Sequence, residues 1–147
     1  MSKSTISSVF PDVNVWLALS SPDHEHFQAA WTWYQALPEG TALLFCRHTQ
    51  LGLLRLLTTR AAMGQGTLTQ DQAWQAYDRW LGAGGAEFAE EAAGLEARFR
   101  LNSSASQASP NEWADAYLGA FAVTLSSPLV TFDRALAGKV KGAVLLG

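Results

Sequence analysis

Three aspartates occupy positions at which a carboxylate could take part in catalysis. Asp12 follows an apolar segment that ends at Phe10, Asp133 follows the apolar segment 129–132, and Asp115 lies near the start of a helix-forming segment between them. In open α/β sheets, ligands bind at the edge formed by the carboxyl ends of the strands. We therefore predict that the three carboxylates converge at this edge. For Asp12 alone, the alternative is that it only caps the next helix, because Asp is a favoured N-cap residue.

Three carboxylates that converge would need a cation beside them. Carboxylates held close together repel one another unless they are protonated or neutralised. A hard divalent ion such as Mg²⁺ or Mn²⁺ takes oxygen ligands and keeps several of its waters. It can activate a bound water and contact phosphate oxygens, so the pattern predicts metal-assisted cleavage of a phosphodiester.

Three polar residues accompany the aspartates. Asn14 could orient the first carboxylate or bond to the backbone. Asn111 stands one helical turn before the second carboxylate, on the same face of the helix. Thr131 stands two residues before the third and points the same way in an extended strand, where it could hold a water or a phosphate. The alternative for Thr131 is an ordinary β-branched strand residue.

The helix that carries Asp115 has a recognisable start signal. Ser109 is predicted as its N-cap, Pro110 as its first residue and Glu112 as the capping-box partner, and the helix is expected to run to about Leu125. Glu112 is therefore interpreted as a cap rather than as a metal ligand. The polar stretch 102–109 before it lacks periodicity and is predicted to be a loop.

Short apolar segments alternate with helical ones along the chain. This order predicts an α/β fold with a mostly parallel sheet of about five strands flanked by helices. The helix after the second strand is expected to begin at Gln50, and residues 60–67 are expected to be loosely structured. The predicted strands cover residues 5–10, 41–46, 86–89, 129–132 and 142–146.

The composition indicates which classes of protein this sequence fits. A length of 147 residues predicts a single domain, and 48% hydrophobic residues suffice for a sizeable core. The net charge of −3 does not mark a nucleic-acid binder, although a local basic rim could act on its own. Cys46 is the one cysteine, so there is no disulfide framework; we expect a small buried residue and a reducing cytoplasm.

The sequence also lacks features of export or membrane insertion. Its first residues contain no apolar core of signal-peptide length. No apolar run reaches about 18 residues, the length needed to cross a bilayer. We therefore expect a cytoplasmic protein without a membrane partner.

Four segments together resemble the PIN domain, and specifically the VapC toxins of bacterial type II toxin–antitoxin pairs. They occur in the same order as in that family and span nearly the whole chain; they read FPDVNVWLAL, CRHTQLGLLRLLT, NEWADAYLGAFA and LVTFDRAL. The resemblance implies a Rossmann-like PIN fold over residues 1–147, a Mg²⁺- or Mn²⁺-dependent endoribonuclease, a homodimer and inhibition by a small VapB-like antitoxin.

The resemblance also assigns roles to individual residues. Asp12 matches the first acid of the family, and Asp115 matches the acid that shares the metal with it. Asp133 matches the last acid, with Thr131 in the accompanying Thr-x-Asp. Together these residues would form the catalytic and metal-binding set.

One departure from the family pattern concerns the helix after the second strand, where the family usually has a glutamate. This chain reads Thr49-Gln50-Leu51-Gly52, and no acid occurs between Glu39 and Asp71. Gln50 could serve as a neutral ligand through its carbonyl oxygen, but one fewer negative charge should weaken metal binding. The alternative function is therefore a catalytically weakened PIN-like module that acts by binding RNA or its antitoxin. A smaller departure is Leu136, where phenylalanine is frequent.

Basic residues near the predicted site are candidates for contacts with RNA phosphates, because protein contacts with the RNA backbone are largely basic. Each could equally be an ordinary surface residue. The loop 102–109 could lie along the substrate groove. The candidates are Arg47, His48, Arg55 and Arg134.

A phosphatase of the haloacid-dehalogenase type fits less well. It requires Asp-x-Asp after the first strand, where this chain has Asp12-Val13-Asn14.

Overall fold

The computed structural model describes residues 8–147, which contain a five-stranded sheet in the order β3-β2-β1-β4-β5. Every neighbouring pair of strands is parallel, which confirms the predicted α/β class. Residues 5–7 of the predicted first strand lie outside the described residues. The strands are β1 (Ser8–Pro11), β2 (Ala42–Phe45), β3 (Ala86–Phe88), β4 (Leu129–Thr131) and β5 (Val144–Leu145).

The strand order reverses at β1. The chain first builds outward from β1 to β2 and β3, and then crosses to the other side of β1 to add β4 and β5. Such a switch point leaves a crevice at the carboxyl ends of the two strands that diverge, here β1 and β4. Phe10 lies opposite Leu129 and Pro11 opposite Val130, so the residues that end these strands come side by side.

Helices connect the strands and cover the sheet. They are α1 (Val13–Ser20), α2 (Phe27–Gln35), α3 (Arg47–Leu57), α4 (Arg60–Met63), α5 (Gln70–Ala83), α6 (Leu95–Asn102), α7 (Trp113–Thr124) and α8 (Arg134–Lys139). Among the described residues, no helix is both long and apolar enough to cross a bilayer.

The two faces of the sheet pack into separate apolar clusters. Val9 of β1 faces one cluster and Phe10 the other, because successive side chains of a strand point to opposite faces. On the first face Trp16 of α1 stacks on Phe45, with ring centroids 3.9 Å apart. On the second face Phe10 packs against Phe121 of α7 at 4.6 Å. Burial of both faces is typical of parallel sheets and fixes α7 over β1 and β4.

Close packing also joins α7 to the residue that follows α8. A Cβ atom placed on Gly119 would lie 3.1 Å from Cγ2 of Val140, so the small residue permits this approach. This contact holds α8, and the side chains at its ends, against α7.

The helix after β2 begins three residues earlier than predicted, at Arg47 rather than Gln50. Cys46 takes the N-cap position, its N–H donates to Oγ1 of Thr49 at 3.0 Å, and the Thr49 hydroxyl donates back to the Cys46 carbonyl oxygen at 3.1 Å. Cys46 is buried, as expected. The start was missed because cysteine is not among the favoured N-cap residues.

Residues 60–67 are more ordered than predicted. They form α4 and then a 3-10 turn over residues 64–66. The backbone N–H groups of Ala62 and Met63 both donate to the carbonyl oxygen of Thr59, which begins the helical turn.

The predicted capping box of Ser109 and Glu112 is wrong. Helix α7 begins at Trp113 with Glu112 as its N-cap, and Ser109 belongs to a turn in which its carbonyl oxygen accepts from the Glu112 N–H at 3.1 Å. The carboxylate of Glu112 does not return to the backbone because it pairs with Lys139, at 2.8 Å. The region around 102–109 is largely the predicted loop, which lies between α6 and α7.

Candidate active site

Asp12 is a buried carboxylate at the carboxyl end of β1, with 5% of its surface exposed. One oxygen, Oδ1, accepts from the backbone N–H groups of Asn14 at 3.0 Å and Val15 at 3.2 Å. The other, Oδ2, accepts from the Thr131 hydroxyl at 2.5 Å. Asp12 therefore is the N-cap of α1, as the alternative interpretation held, but its second oxygen is directed towards β4.

Thr131 connects the ends of β1 and β4. Its side chain is fully buried, and its hydroxyl oxygen accepts from the backbone N–H of Asp133 at 2.9 Å while it donates to Asp12. Asp133 in turn caps α8, because its Oδ1 accepts from the Leu136 N–H at 3.1 Å. A single hydroxyl thus fixes Asp12 relative to the turn that carries Asp133.

The environment of Asp12 disfavours its charged form. Burial raises the pKa of Asp12 above its ordinary value, and the negative charge of Asp133 raises it further. The hydrogen bonds from Thr131, Val15 and Asn14 lower the pKa and offset part of this effect. The donors around this buried carboxylate are neutral, so a cation at its free lone pair would stabilise it.

Asp115, in the first turn of α7, is paired with a lysine. Oδ2 of Asp115 lies 2.9 Å from Nζ of Lys139, and Oε1 of Glu112 lies 2.8 Å from the same nitrogen. The pairs raise the pKa of Lys139, so its ammonium group stays charged. The side chain of Lys139 is 41% exposed, which leaves room for it to move.

The structure therefore brings the three predicted aspartates to neighbouring elements without forming one compact triad. Asp12 and Asp133 are linked through Thr131, whereas Asp115 is joined to Lys139 of α8. Within residues 8–147, no group of three or more His, Cys, Asp or Glu side chains is arranged to hold a metal ion.

Comparison with known proteins assigns the family. The sequence model of the PIN domain matches residues 9–141. This chain belongs to the PIN-domain family. Ribonuclease VapC41 of Mycobacterium tuberculosis is 41% identical to this PIN domain over 133 residues, a match that covers 84% of this chain and 88% of that protein.

Two solved structures share the fold of this PIN domain. VapC20 of Mycobacterium tuberculosis, described as a sarcin–ricin loop cleaving toxin, superimposes with a TM-score of 0.65 at 15% identity, over 95% of this chain and 99% of that one. VapBC2 of Rickettsia felis, bound to a DNA fragment from its promoter, superimposes with a TM-score of 0.63 at 12% identity, over 94% and 96%. The resemblance inferred from the four sequence segments is confirmed.

Gln50, at the place where a family glutamate was expected, is buried in this PIN domain. Its carbonyl oxygen Oε1 accepts from Nη1 of Arg47 at 2.7 Å. The Arg47 guanidinium also lies over the ring of Phe88, 4.6 Å from the centroid. The predicted neutral ligand and one predicted RNA-binding cation are therefore engaged with each other.

The remaining candidates are exposed, and only some lie near the carboxyl edge of the sheet. His48 packs 6.1 Å from the ring of Tyr117 on α7, and Arg134 begins α8 directly after Asp133. Asn14 and Asn111 are exposed near the starts of α1 and α7. Arg55 lies eight residues beyond the start of α3, about 12 Å along the axis, and so is distant from this edge.

Sequence reasoning missed two features of the site. Lys139 was given no role at the site, although it ends α8 and its ammonium group pairs with both acids at the start of α7. Tyr117 was not singled out, although its hydroxyl donates to Oε2 of Glu91 at 2.8 Å, and burial raises its pKa. No sequence spacing reveals the Lys139 pairs, because the partners lie 24 and 27 residues away.

Proposed function

We propose that this PIN domain is an endoribonuclease toxin of the VapC type, which hydrolyses RNA phosphodiester bonds with a Mg²⁺ or Mn²⁺ ion. The observation that carries the proposal is the buried Asp12 carboxylate, oriented by three donors at the switch point of a parallel sheet. The 41% identity to Ribonuclease VapC41 over most of both chains supports the same reaction.

The chemistry of the donor set fits a hard divalent ion. Mg²⁺ is usually held by one or two carboxylates, with waters and substrate phosphates in the remaining positions, so a compact triad is not required. Asp12 would supply one ligand and Asp115 the second, with Asp133 in support. When bound, the ion would activate water and neutralise charge on the phosphate oxygens.

The protein groups would orient and position the substrate. Thr131 fixes the direction of the Asp12 carboxylate, which keeps Oδ2 from rotating away from the crevice. Asn14 and Asn111 lie at the starts of the two helices that supply Asp12 and Asp115, where they are available to polar groups of the substrate. Arg134 and His48 would contact RNA phosphates at the same edge.

Antitoxin control belongs to the same proposal. The Rickettsia felis neighbour is a VapBC complex, and we propose a VapB-like antitoxin as the partner of this chain. A small gene directly upstream would encode it. The homodimer and the cytoplasmic location stay predictions.

Metal-dependent cleavage of structured RNA by purified protein tests the proposal. We expect wild type to cleave with Mn²⁺ or Mg²⁺ and to stop on addition of EDTA, and Asp12→Asn to be inactive. Asp71→Asn is the matched control, because Asp71 is an exposed acid in the first turn of α5. Equal rates for wild type and Asp12→Asn would refute the proposal.

One contact favours the alternative function, a catalytically weakened PIN-like module. Oε1 of Gln50, the oxygen that could bind a metal ion, instead accepts a hydrogen bond from Arg47. Calorimetry with Mn²⁺ separates the two functions. Absence of heat at millimolar Mn²⁺, together with retained RNA or antitoxin binding, would favour the module.

A further inference from the structure

Trp113 is a large apolar side chain on the surface at the start of α7, the helix that carries Asp115. It is the first residue of α7, two residues before Asp115, and 58% of its surface is exposed. Single exposed apolar residues are common on proteins. Trp113 differs from a typical exposed apolar residue because it borders two cavities.

Trp113 lines both of these cavities. One, of ≈ 210 Å³, is bordered by the end of α6 and the loop before α7, and its lining mixes polar residues, which include Asn102, Gln107 and Ser109, with alanines. The other, of ≈ 540 Å³, lies towards α6 and includes Phe99 and Arg100. The Trp113 side chain therefore borders both cavities.

The indole of Trp113 packs against Phe99 of α6. The ring of Phe99 meets it edge to face, with centroids 6.3 Å apart and an interplanar angle of 81°. Helix α6, which carries Phe99, is tied to α7 because Nδ2 of Asn102 donates to the Ala116 carbonyl oxygen at 3.1 Å. The indole thus has a fixed base, which lowers the entropy cost of a contact with a ligand.

One residue that lines the first cavity is linked to the candidate active site. Glu112 also lines this cavity, and Lys139 joins Glu112 to Asp115. A strand of nucleic acid whose backbone passes Asp115 would bring a neighbouring base within reach of Trp113.

We propose that Trp113 is a stacking platform for an unpaired base of the RNA strand at the cleavage site. The proposal rests on the endoribonuclease function above. Aromatic side chains bind single-stranded bases by stacking, and amide and hydroxyl groups can hydrogen-bond to the base edges. Gln107 and Ser109 supply such groups beside the indole. Arg100, which pairs with Glu96 at 2.8 Å, lines the cavity on the other side and would have to exchange that partner to contact a phosphate.

A nucleic-acid occupant fits this surface better than a protein helix does. The ≈ 210 Å³ cavity next to Trp113 is lined by serine, asparagine and glutamine side chains together with two alanines and Glu112, whose charge is paired with Lys139. By contrast, the groove between α3 and α5, which contains Leu51, Leu54 and the exposed Trp74, is mainly apolar. Apolar anchors are what an amphipathic partner helix requires.

Binding of short single-stranded RNA of mixed sequence, followed by fluorescence anisotropy in the non-cleaving Asp12→Asn protein, tests the proposal. We expect the further change Trp113→Ala to weaken binding about 5- to 50-fold, in the range of one lost base stack. Trp113→Phe should keep most of the affinity. Trp74→Ala is the matched control, because Trp74 is 47% exposed on α5, and it should bind within about twofold of the parent.

The salt dependence distinguishes stacking from a loss of charge. Trp113→Ala removes no cation, so the slope of log affinity against log salt should equal that of the parent, whereas Arg100→Gln should reduce it if Arg100 contacts a phosphate. Thermal unfolding of each variant checks that the fold is kept, and Trp113→Phe provides a second, milder variant.

The proposal would be overturned if Trp113→Ala bound RNA as tightly as Trp74→Ala does. It would also be overturned if Trp113→Ala lost antitoxin binding but kept RNA binding, which would place Trp113 in a protein interface. Failure of the proposed function is seen separately, as equal cleavage by wild type and Asp12→Asn.

Discussion

Nζ of Lys139 lies 2.9 Å from Oδ2 of Asp115 and 2.8 Å from Oε1 of Glu112, so an ammonium group sits between two acids at the start of α7. Asp115 is the carboxylate that the family resemblance assigns to the shared metal ion. In this structure a lysine provides the positive charge there. A metal ion that binds Asp115 would therefore have to displace Lys139 or share the carboxylate with it.

Removal of that ammonium group should favour the metal. We expect Lys139→Met to bind Mn²⁺ about three- to tenfold more tightly than wild type, because the change frees a carboxylate and removes a like charge; exposed ion pairs are weak, so the gain is modest. Isothermal titration calorimetry measures it. Lys141→Met is the control, since Lys141 is an exposed lysine two residues away. Unchanged or weaker binding would mean that Asp115 is not a ligand or needs Lys139 for its orientation.

The buried charge of Asp12 should reduce the stability of the metal-free protein. The pKa of Asp12 is raised above 3.8 in the folded state, so folding favours the protonated form. Its contribution is therefore most favourable at pH below the unfolded value and declines as pH rises through the folded pKa.

Asp12→Asn removes this penalty. We expect it to melt about 2–4 °C above wild type at neutral pH in EDTA, the shift that roughly 1 kcal/mol produces in a domain of this size. The difference should shrink as pH falls towards 4, because wild-type Asp12 then takes up its proton. Differential scanning calorimetry at several pH values measures it. A difference that grows on acidification would contradict this account.

Metal binding should reverse that order of stability. Saturating Mn²⁺ should raise the melting temperature of wild type, because a ligand that binds only the folded state stabilises it, while Asp12→Asn should respond little. Titration with excess EDTA should restore the original values. An equal shift in both proteins would place the ion elsewhere.

The Thr131 hydroxyl should matter for both stability and cleavage. Thr131→Val keeps the shape but leaves Oδ2 of Asp12 and the Asp133 N–H without their partner, which should cost about 1–3 kcal/mol in unfolding free energy. Urea denaturation measures this, and RNA cleavage should fall about tenfold, consistent with the loss of an orienting group. Thr131→Ser, which restores the hydroxyl, is the control. Wild-type cleavage and stability in Thr131→Val would show that the hydroxyl is dispensable.

Gln50→Glu tests the departure from the family pattern. The new carboxylate would meet Arg47, whose Nη1 already lies 2.7 Å from Oε1 of Gln50, and a charged hydrogen bond would form. We therefore expect little change in Mn²⁺ affinity from Gln50→Glu alone, and a gain only when Arg47→Met is added. Calorimetry on the single and double variants measures this. If Gln50→Glu alone gained as much Mn²⁺ affinity as the double variant, Arg47 would not be holding the side chain at position 50.

The strands could be predicted from the sequence because β1, β2 and β4 are short apolar segments that precede helices. The position of Asp12 followed from the same pattern, since a strand end next to a helix start is a local feature. Helix starts were less predictable where an unusual residue takes the cap, as Cys46 does for α3.

The partners of the acids on α7 could not be predicted. Glu112 stands three residues after Ser109, a spacing that predicts a capping box, but the tertiary contact with Lys139 replaces it. Likewise, the spacing of the three aspartates indicates a shared edge but not the distances between side chains, which depend on how α7 and α8 pack through Gly119 and Val140.

The bond between Thr131 and Asp12 joins residues 119 positions apart in the chain. A growing polypeptide therefore carries the first acid long before it acquires the hydroxyl that orients it. Strand β4 must leave the ribosome and insert beside β1 before the proposed nuclease can act. Unfinished chains would thus lack the assembled site, and the proposed antitoxin would need to meet only completed molecules.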